Sequence, residues 1–206
     1  MKKKNINLES YRNWEYLKLA LGFTLSTLTT PLLNSVDTAV VGNLPNPVFI
    51  GGVTLGGTIF NTIYWLFGFL RVSTSGYSAK AFGEKNKSEE ITALVRPAII
   101  SVLIGMFFIL FQKVILWGFS NFFDAEKEIT KYLEIYFNIL IWGVPFVLIN
   151  YTFLGWIMGR KEIKKCLILQ LLTNVTNIML DLYFVKVLKI DVAGVAIATL
   201  VSQILT

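Results

Sequence analysis

Long apolar segments separated by short charged loops constrain this chain more than any other feature. Several segments reach about 18 residues or more, enough helix to cross the hydrocarbon core of a bilayer. Charged residues make up only 16% of the 206 positions, whereas a soluble domain carries about 25%. A backbone surrounded by lipid must satisfy its own hydrogen bonds, so such segments fold as helices. The sequence therefore predicts an all-α, polytopic protein embedded in the lipid bilayer.

The composition also argues against several classes of protein and site. The net charge is +6, but the lysines and arginines lie mainly in short loops between apolar segments, which does not indicate nucleic-acid binding. The sequence contains no histidine, which excludes histidine metal sites, histidine proton relays and serine–histidine triads. Cys166 is the only cysteine, so neither an internal disulfide nor a cysteine metal cluster is expected. The sequence shows no nucleophile–base pair, so an enzyme is the least favoured hypothesis, and we expect no organic cofactor.

The apolar pattern and its breaks predict six transmembrane helices. Residues 1–15 form a basic, amphipathic lead-in suited to the cytoplasmic membrane interface. We expect residues 16–206 to form one bundle in which the sixth helix is incomplete. The polar connection over 71–90 is expected to continue the second helix in its first half and to turn at about 83–86. The predicted helices cover about 16–42, 48–72, 92–117, 131–158, 166–187 and 193–206.

Prolines and glycines add local expectations to these helices. Pro31 removes a backbone hydrogen bond and is expected to bend the first helix. Pro97 is expected near the start of the third helix, where proline disrupts least, and Pro145 lies inside the fourth. Gly52 and Gly56 have the four-residue spacing that allows close helix packing, so we interpret them as a packing face.

The distribution of positive charge predicts the orientation of the bundle. Residues 1–15, 71–90 and 159–165 hold twelve of the nineteen lysines and arginines. The connection over 43–47 holds none, and the one over 118–130 holds one. The positive-inside rule then places the N-terminus in the cytoplasm, and every later loop agrees by alternation. We expect a multi-pass protein of a bacterial-type inner membrane.

Two aspartates lie well inside predicted transmembrane helices, Asp37 in the first and Asp181 in the fifth. A carboxylate at membrane depth costs about 2.5–3.5 kcal/mol on insertion scales, so each needs a partner, a proton or a cation. Each aspartate also ends a polar stripe along one face of its helix. The stripes consist of Ser26, Thr30, Asn34 and Asp37, and of Gln170, Asn174, Asn177 and Asp181.

Asp37, Asp181 and Thr199 are predicted to share one depth in the membrane. Each lies five or six residues from the outer end of its helix, which is about 8–9 Å along the axis. Together with the Asn177 amide they supply hard oxygen ligands that suit a small cation such as sodium. Two nearby carboxylates can instead share a proton. Each aspartate can also serve only as a hydrogen-bonding contact between helices, and the residues alone leave these three alternatives open.

Four sequence motifs stand out: PLLNSVDTAVVG at 31–42, FLRVSTSG at 69–76, NIMLD at 177–181 and GVAIAT at 194–199. Asn150 with Gly155 and Gly159 accompanies them. Together they resemble the multidrug and toxic compound extrusion (MATE) family of transporters, in the branch of the DNA-damage-inducible protein F type, and the resemblance extends over essentially the whole chain.

This resemblance implies the N-terminal six-helix bundle of a twelve-helix transporter, with the sequence ending inside helix 6. It also implies a missing C-terminal half related by a pseudo-two-fold, and sodium- or proton-driven export of small organic cationic or amphiphilic substrates. By resemblance, Asp37, Asn177, Asp181 and Thr199 match the cation site of the first bundle. Tyr136 and Asn150 match the wall of its substrate cavity, and the polar stripes add three candidates for this wall, Asn34, Gln170 and Asn174.

Two alternatives to multidrug export stay open at this stage. The first is a flippase of the same wider superfamily that moves lipid-linked sugars. A broad basic cavity would favour it, and the carboxylates of the first and fifth helices argue against it. The second is a membrane fragment or subunit that does not itself transport.

Overall fold

The part of the chain that the structure describes is helical in all of its regular elements. The computed structural model describes residues 17, 21, 24, 35–42 and 46–205. The predicted lead-in over 1–15, the bend at Pro31 and most of the first predicted helix lie outside these residues.

The first helix, α1, is described over residues 35–41, and Gly42 turns the chain after it. A 3-10 turn, Ile141–Gly143, joins α6 to α7, and a π-helical turn, Tyr183–Val187, follows α8. The other helices are Val48–Leu66 (α2), Phe69–Gly83 (α3), Lys87–Leu110 (α4), Gln112–Phe123 (α5), Lys127–Leu140 (α6), Val144–Gly159 (α7), Ile163–Leu182 (α8) and Val192–Leu205 (α9).

Helices long and apolar enough to cross a bilayer account for most of the described chain. α4 shows how they meet lipid: within it only Ser101 and Gly105 are buried, and Leu103 and Phe107 are exposed. Such a surface is expected where a helix faces lipid tails. α9 is a shorter apolar helix. Among the described residues the candidate spans are Val48–Gly83, Lys87–Leu110, Lys127–Gly159 and Ile163–Val187.

The span Val48–Gly83 corresponds to the second predicted helix, and it continues past the predicted end at residue 72. α2 and α3 form this span with a short irregularity at 67–68, across which the amide of Leu70 still bonds the carbonyl of Phe67 at 3.0 Å. The polar side chains of α3 are compatible with a span because they pack against α7. The buried Ser78 hydroxyl, for example, donates to the Trp156 carbonyl at 2.9 Å. The first half of the polar connection is therefore part of the bundle.

The span that corresponds to the third predicted helix begins at Lys87, ahead of the predicted start at 92. Asn86 caps it, because its side-chain oxygen accepts a hydrogen bond from the amide of Glu89 at 3.2 Å. Pro97 is therefore inside the helix, and the expectation that it lies near the start is wrong. α4 ends at Leu110, so the predicted helix over 92–117 is divided between α4 and α5.

The fourth predicted helix, over 131–158, is also divided. It begins earlier, at Lys127, and the 3-10 turn interrupts it just before Pro145. Proline has no amide hydrogen to bond the carbonyl of Ile141, four residues earlier, so the break belongs at this position. Pro145 is the second residue of α7, within the first turn, where a missing amide hydrogen costs little.

The helices of the core pack closely where glycines lie between them. α2 packs on α6 through Gly52 and Gly56, as the packing-face interpretation predicts. A Cβ at Gly52 would lie 2.6 Å from the Cβ of Tyr132, and one at Gly56 would overlap the Tyr136 ring. α7 packs on both α3 and α4, and α9 packs on α6 and α8. This arrangement brings α6, α8 and α9 together beside α1.

Candidate functional site

A buried cluster of five polar side chains lies where α1, α6, α8 and α9 meet. The Tyr136 hydroxyl donates to Oδ2 of Asp37 at 3.2 Å, and the Thr199 hydroxyl donates to the same oxygen at 3.0 Å. The Asn177 amide in turn donates to the Thr199 hydroxyl at 3.0 Å. Asp181 is fully buried and interacts electrostatically with Asp37. The structure thus brings together Asp37, Asn177, Asp181 and Thr199, the predicted cation ligands.

Local sequence explains how each helix presents its part of the cluster. Asn177 and Asp181 are four residues apart on α8, so they project from the same face. α9 packs on α8, and three small residues in its first half, Gly194, Ala196 and Ala198, are buried. This close packing lets a short side chain, Thr199, reach across to α1.

Four oxygens of the cluster have no hydrogen-bond partner among the residues that the structure describes. They are Oδ1 of Asp37, Oδ1 of Asn177 and both carboxylate oxygens of Asp181. Buried carboxylates are costly unless charge and hydrogen-bonding capacity are satisfied. Carboxylate and amide oxygens are the ligands that hard cations take, and a carboxylate can also accept a proton. The cluster is thus chemically suited to bind a small cation or a proton.

A polar cavity of about 420 Å³ lies on the other side of Tyr136, between α1 and α2. Tyr136 therefore touches both a cavity, as the family resemblance implies, and the carboxylate cluster, a contact that the sequence did not indicate. Thr54, Thr58 and Asn61 line this cavity and were not among the predicted residues. Their spacing of four and three residues is a helical polar stripe, so the same pattern that singled out Asp37 could have found them. The other lining residues are Ser35, Thr38, Val53 and Gly57.

The remaining substrate-cavity candidates lie elsewhere. Asn150 on α7 and Asn174 on α8 are half-buried, and Gln170 on α8 is buried. None of these three takes part in the hydrogen bonds of the cluster or lines the cavity beside Tyr136. Asn34 lies outside the described residues.

A buried positive charge is also present within the bundle. Arg71 of α3 is 6% exposed, and its Nη2 donates to the sulfur of Met158 at 3.6 Å. In the sequence Arg71 stands within the FLRVSTSG motif, and a basic residue inside an apolar helix is itself a signal of a special environment.

Comparison with known proteins identifies the class to which this fold and cluster belong. The MatE family model matches residues 23–183, which is more than half of the chain. The chain therefore belongs to the MatE family of multi-pass membrane transporters, the family that its motifs resemble.

Two curated relatives illustrate the match. DNA damage-inducible protein F of Escherichia coli (strain K12) is 34% identical over 188 residues, which is 91% of this chain and 41% of that relative. Protein DETOXIFICATION 44, chloroplastic, of Arabidopsis thaliana is 26% identical over 205 residues, which is 93% of this chain and 39% of the relative. The chain thus spans about two fifths of the length of these relatives.

Solved structures show the same relationship in the fold. A MATE protein in the bent conformation superposes with a TM-score of 0.84 at 25% identity, covering 91% of this chain and 42% of that one. An outward-facing multidrug resistance MATE family transporter of the MOP superfamily has a TM-score of 0.81 at 23% identity, covering 92% and 42%. The helical bundle described here is therefore a MATE-type fold.

Proposed function

We propose that the protein containing this chain is a secondary active transporter that exports small organic cationic or amphiphilic compounds by antiport with a cation. The observation that carries the proposal is the cluster of Asp37 and Asp181 with Asn177, Tyr136 and Thr199, buried at one place in a MATE-type bundle. In this proposal the chain is the N-terminal lobe, and it works with a C-terminal six-helix half and without an organic cofactor. The share of the relatives' length that the chain spans supports that division.

Two lobes are required for the transport cycle that we propose. Alternating access in transporters built from repeats arises when one bundle rocks against the other around a binding site. The carboxylate cluster lies inside one bundle, so cation binding there changes the packing of α1 against α6, α8 and α9. Tyr136 touches both the cluster and the polar cavity. It is therefore the side chain that would couple cation binding in the cluster to substrate binding in the cavity.

We propose sodium as the coupling ion, with a proton as the alternative. Sodium needs several oxygens around it, and the cluster offers four that have no hydrogen-bond partner among the described side chains. A proton needs only one carboxylate oxygen and one acceptor. In the sodium hypothesis Asn177 and Thr199 are ligands, whereas in the proton hypothesis they only adjust the environment of Asp37 and Asp181.

Sodium-dependent thermal stability tests this assignment. The purified full-length protein should unfold at a higher temperature as sodium rises over about a hundredfold range, because a ligand that binds the native state stabilises it by mass action, by about 2.7 kcal/mol at a hundred times its Kd. Ionic strength is held constant with a bulky organic cation, and pH is fixed. Asn177→Ala and Thr199→Val should reduce this shift strongly. Asn174→Ala, on the same helix but outside the cluster, should leave it unchanged.

A midpoint that does not move with sodium, but moves with pH in the same protein, would assign the coupling to a proton. A midpoint that responds to neither ion would contradict a cation site at the cluster and leave the aspartates as contacts between helices.

The proposed orientation, with a cytoplasmic N-terminus, is tested by cysteine labelling in intact cells. On a Cys166→Ser background, Glu126→Cys should react with an impermeant external thiol reagent. Lys87→Cys and Lys164→Cys should react only after the cells are permeabilised. All three positions are exposed at helix ends, so the reagent can reach them from the correct side. The reverse labelling pattern would contradict the positive-inside orientation.

A further inference from the structure

A groove of about 690 Å³ lies between α3 and α4, and none of its lining residues belongs to the carboxylate cluster. One end of the groove is apolar and includes Leu70, Pro97 and Ile100. The other end, which we call the charged mouth, consists of Lys80 on α3, Glu84 directly after α3, and Glu89 and Arg96 on α4. The groove therefore offers an apolar channel that ends in four ionic side chains.

The groove crosses the level at which a lipid headgroup meets its acyl chains. α4 begins with the charged residues of its first turn, which marks the membrane interface. Arg96 lies about 14 Å further along the helix, at 1.5 Å per residue, within the apolar part of the span. An arginine at that depth directs its guanidinium back toward the headgroup region. Ile100, one turn deeper, is 47% exposed and lies at acyl-chain depth.

The four charges of the mouth make no ion pair within the described part of the chain. Some other charges at the same end of the bundle are paired: Arg160 lies 3.2 Å from Glu90 and 3.8 Å from Glu162. Lys165 also contacts Glu162, and this hydrogen bond lowers the pKa of the Glu162 carboxyl. The mouth thus presents two cations and two carboxylates that are open to a ligand.

We propose that this groove binds a zwitterionic phospholipid whose headgroup carries a primary ammonium, as in phosphatidylethanolamine. Arg96 and Lys80 hold the phosphate, and Glu84 and Glu89 accept hydrogen bonds from the ammonium. One acyl chain lies along Leu70 and Ile100. Basic pockets between transmembrane helices are a known mode of headgroup recognition, and here the added carboxylates select a headgroup of both signs.

Charge balance decides between this occupant and others. An anionic lipid without an ammonium would bring its charge close to two carboxylates and leave them without a partner. A choline headgroup has no N–H to donate, so it cannot make the hydrogen bonds that Glu84 and Glu89 accept. The lead-in over 1–15 carries four basic residues and two acidic ones, so it would place further positive charge beside Arg96 and Lys80.

Lipid titration of the purified full-length protein in detergent tests the proposal. Binding of dioleoyl phosphatidylethanolamine, phosphatidylcholine and phosphatidylglycerol is measured by native mass spectrometry. The wild-type protein should bind phosphatidylethanolamine at least about tenfold more tightly than either of the others. Arg96→Gln and Lys80→Gln should each weaken this binding by about tenfold or more. Lys87→Gln, an exposed cation at the same end of α4 that does not line the groove, should bind like the wild type.

Variants of the two carboxylates test whether they select the ammonium headgroup. The double variant Glu84→Gln with Glu89→Gln should lose the preference for phosphatidylethanolamine and bind phosphatidylglycerol at least equally well. The altered side chains are exposed, so each variant should elute as a monodisperse species like the wild type. Wild-type affinity in Arg96→Gln, or equal binding of all three lipids by the wild type, would overturn the proposal.

A labelling experiment distinguishes lipid from the protein's own lead-in. Thr92→Cys, on the Cys166→Ser background, should react with a thiol reagent in lipid-free protein and be protected by phosphatidylethanolamine. Protection in lipid-free protein that disappears when residues 1–15 are removed would assign the groove to that segment and overturn the lipid proposal.

Discussion

Asp37→Asn should abolish cation-driven efflux by the full-length protein while leaving its membrane abundance normal. The amide has the shape of the carboxylate, and its oxygen can still accept the hydrogen bonds of Tyr136 and Thr199. The variant lacks the negative charge that a cation needs. Removing one partner of a buried charge pair costs about 3–5 kcal/mol, which corresponds to a loss of about 10² to 4 × 10³ in cation affinity. Substrate efflux from vesicles under an imposed sodium or proton gradient measures the effect.

Two further variants make the Asp37 experiment specific. Asp181→Asn should show the same loss, because both carboxylates belong to the cluster. Asp191→Asn is the matched control, since it removes an exposed carboxylate from the connection before α9, and it should transport normally. Normal efflux in Asp37→Asn at normal abundance would show that this aspartate is only a contact between helices.

Gly56→Ala should both destabilise the protein and weaken cation binding, because Gly56 fixes the position of Tyr136. An added methyl group would overlap the Tyr136 ring, which is 1% exposed, so the ring would have to shift. Overpacking of a buried site costs about 1–3 kcal/mol. The displaced ring would also shift the hydroxyl that donates to Asp37.

Gly57→Ala is the matched control for Gly56→Ala. It places the same methyl group one residue further along α2, where no atom lies within 4 Å apart from the neighbouring residues and the local helix backbone. Its thermal midpoint and its sodium response should match those of the wild type, whereas both should fall in Gly56→Ala. Equal behaviour of the two variants would contradict the role of the α2–α6 contact in holding Tyr136.

Local sequence patterns were sufficient to predict the fold class and most residues of the carboxylate cluster. Long apolar segments specify helices in a membrane whatever their partners are, because lipid offers the backbone no other hydrogen bonds. The spacing of Asn177 and Asp181 places both on one face of α8 in any arrangement of the bundle. Counting residues from the helix ends placed Thr199 at the depth of Asp37, and the structure joins them by a hydrogen bond. The sodium role and the orientation stay predictions.

Helix ends were harder to predict, because tertiary packing overrides the local signal. The first half of the polar connection over 71–90 was expected to continue the second helix, and the structure confirms this as far as Gly83, with Thr74 and Ser78 buried. The predicted bounds of that helix nevertheless ended at 72, because the residue types of α3 are typical of a loop and only its packing on α7 favours the helix. Asn86 is an N-cap that sequence analysis did not use, and so Pro97 was placed at a helix start rather than inside one.

Only the tertiary structure decided which side chains meet. Tyr136 was predicted as a cavity residue, and nothing in the sequence of α6 indicates that its hydroxyl bonds a carboxylate 99 positions away. The groove between α3 and α4 is likewise assembled from two helices whose charges are ordinary when each helix is considered alone. Periodicity specifies the face of a helix on which a residue lies, but which faces come together depends on packing between segments distant in sequence.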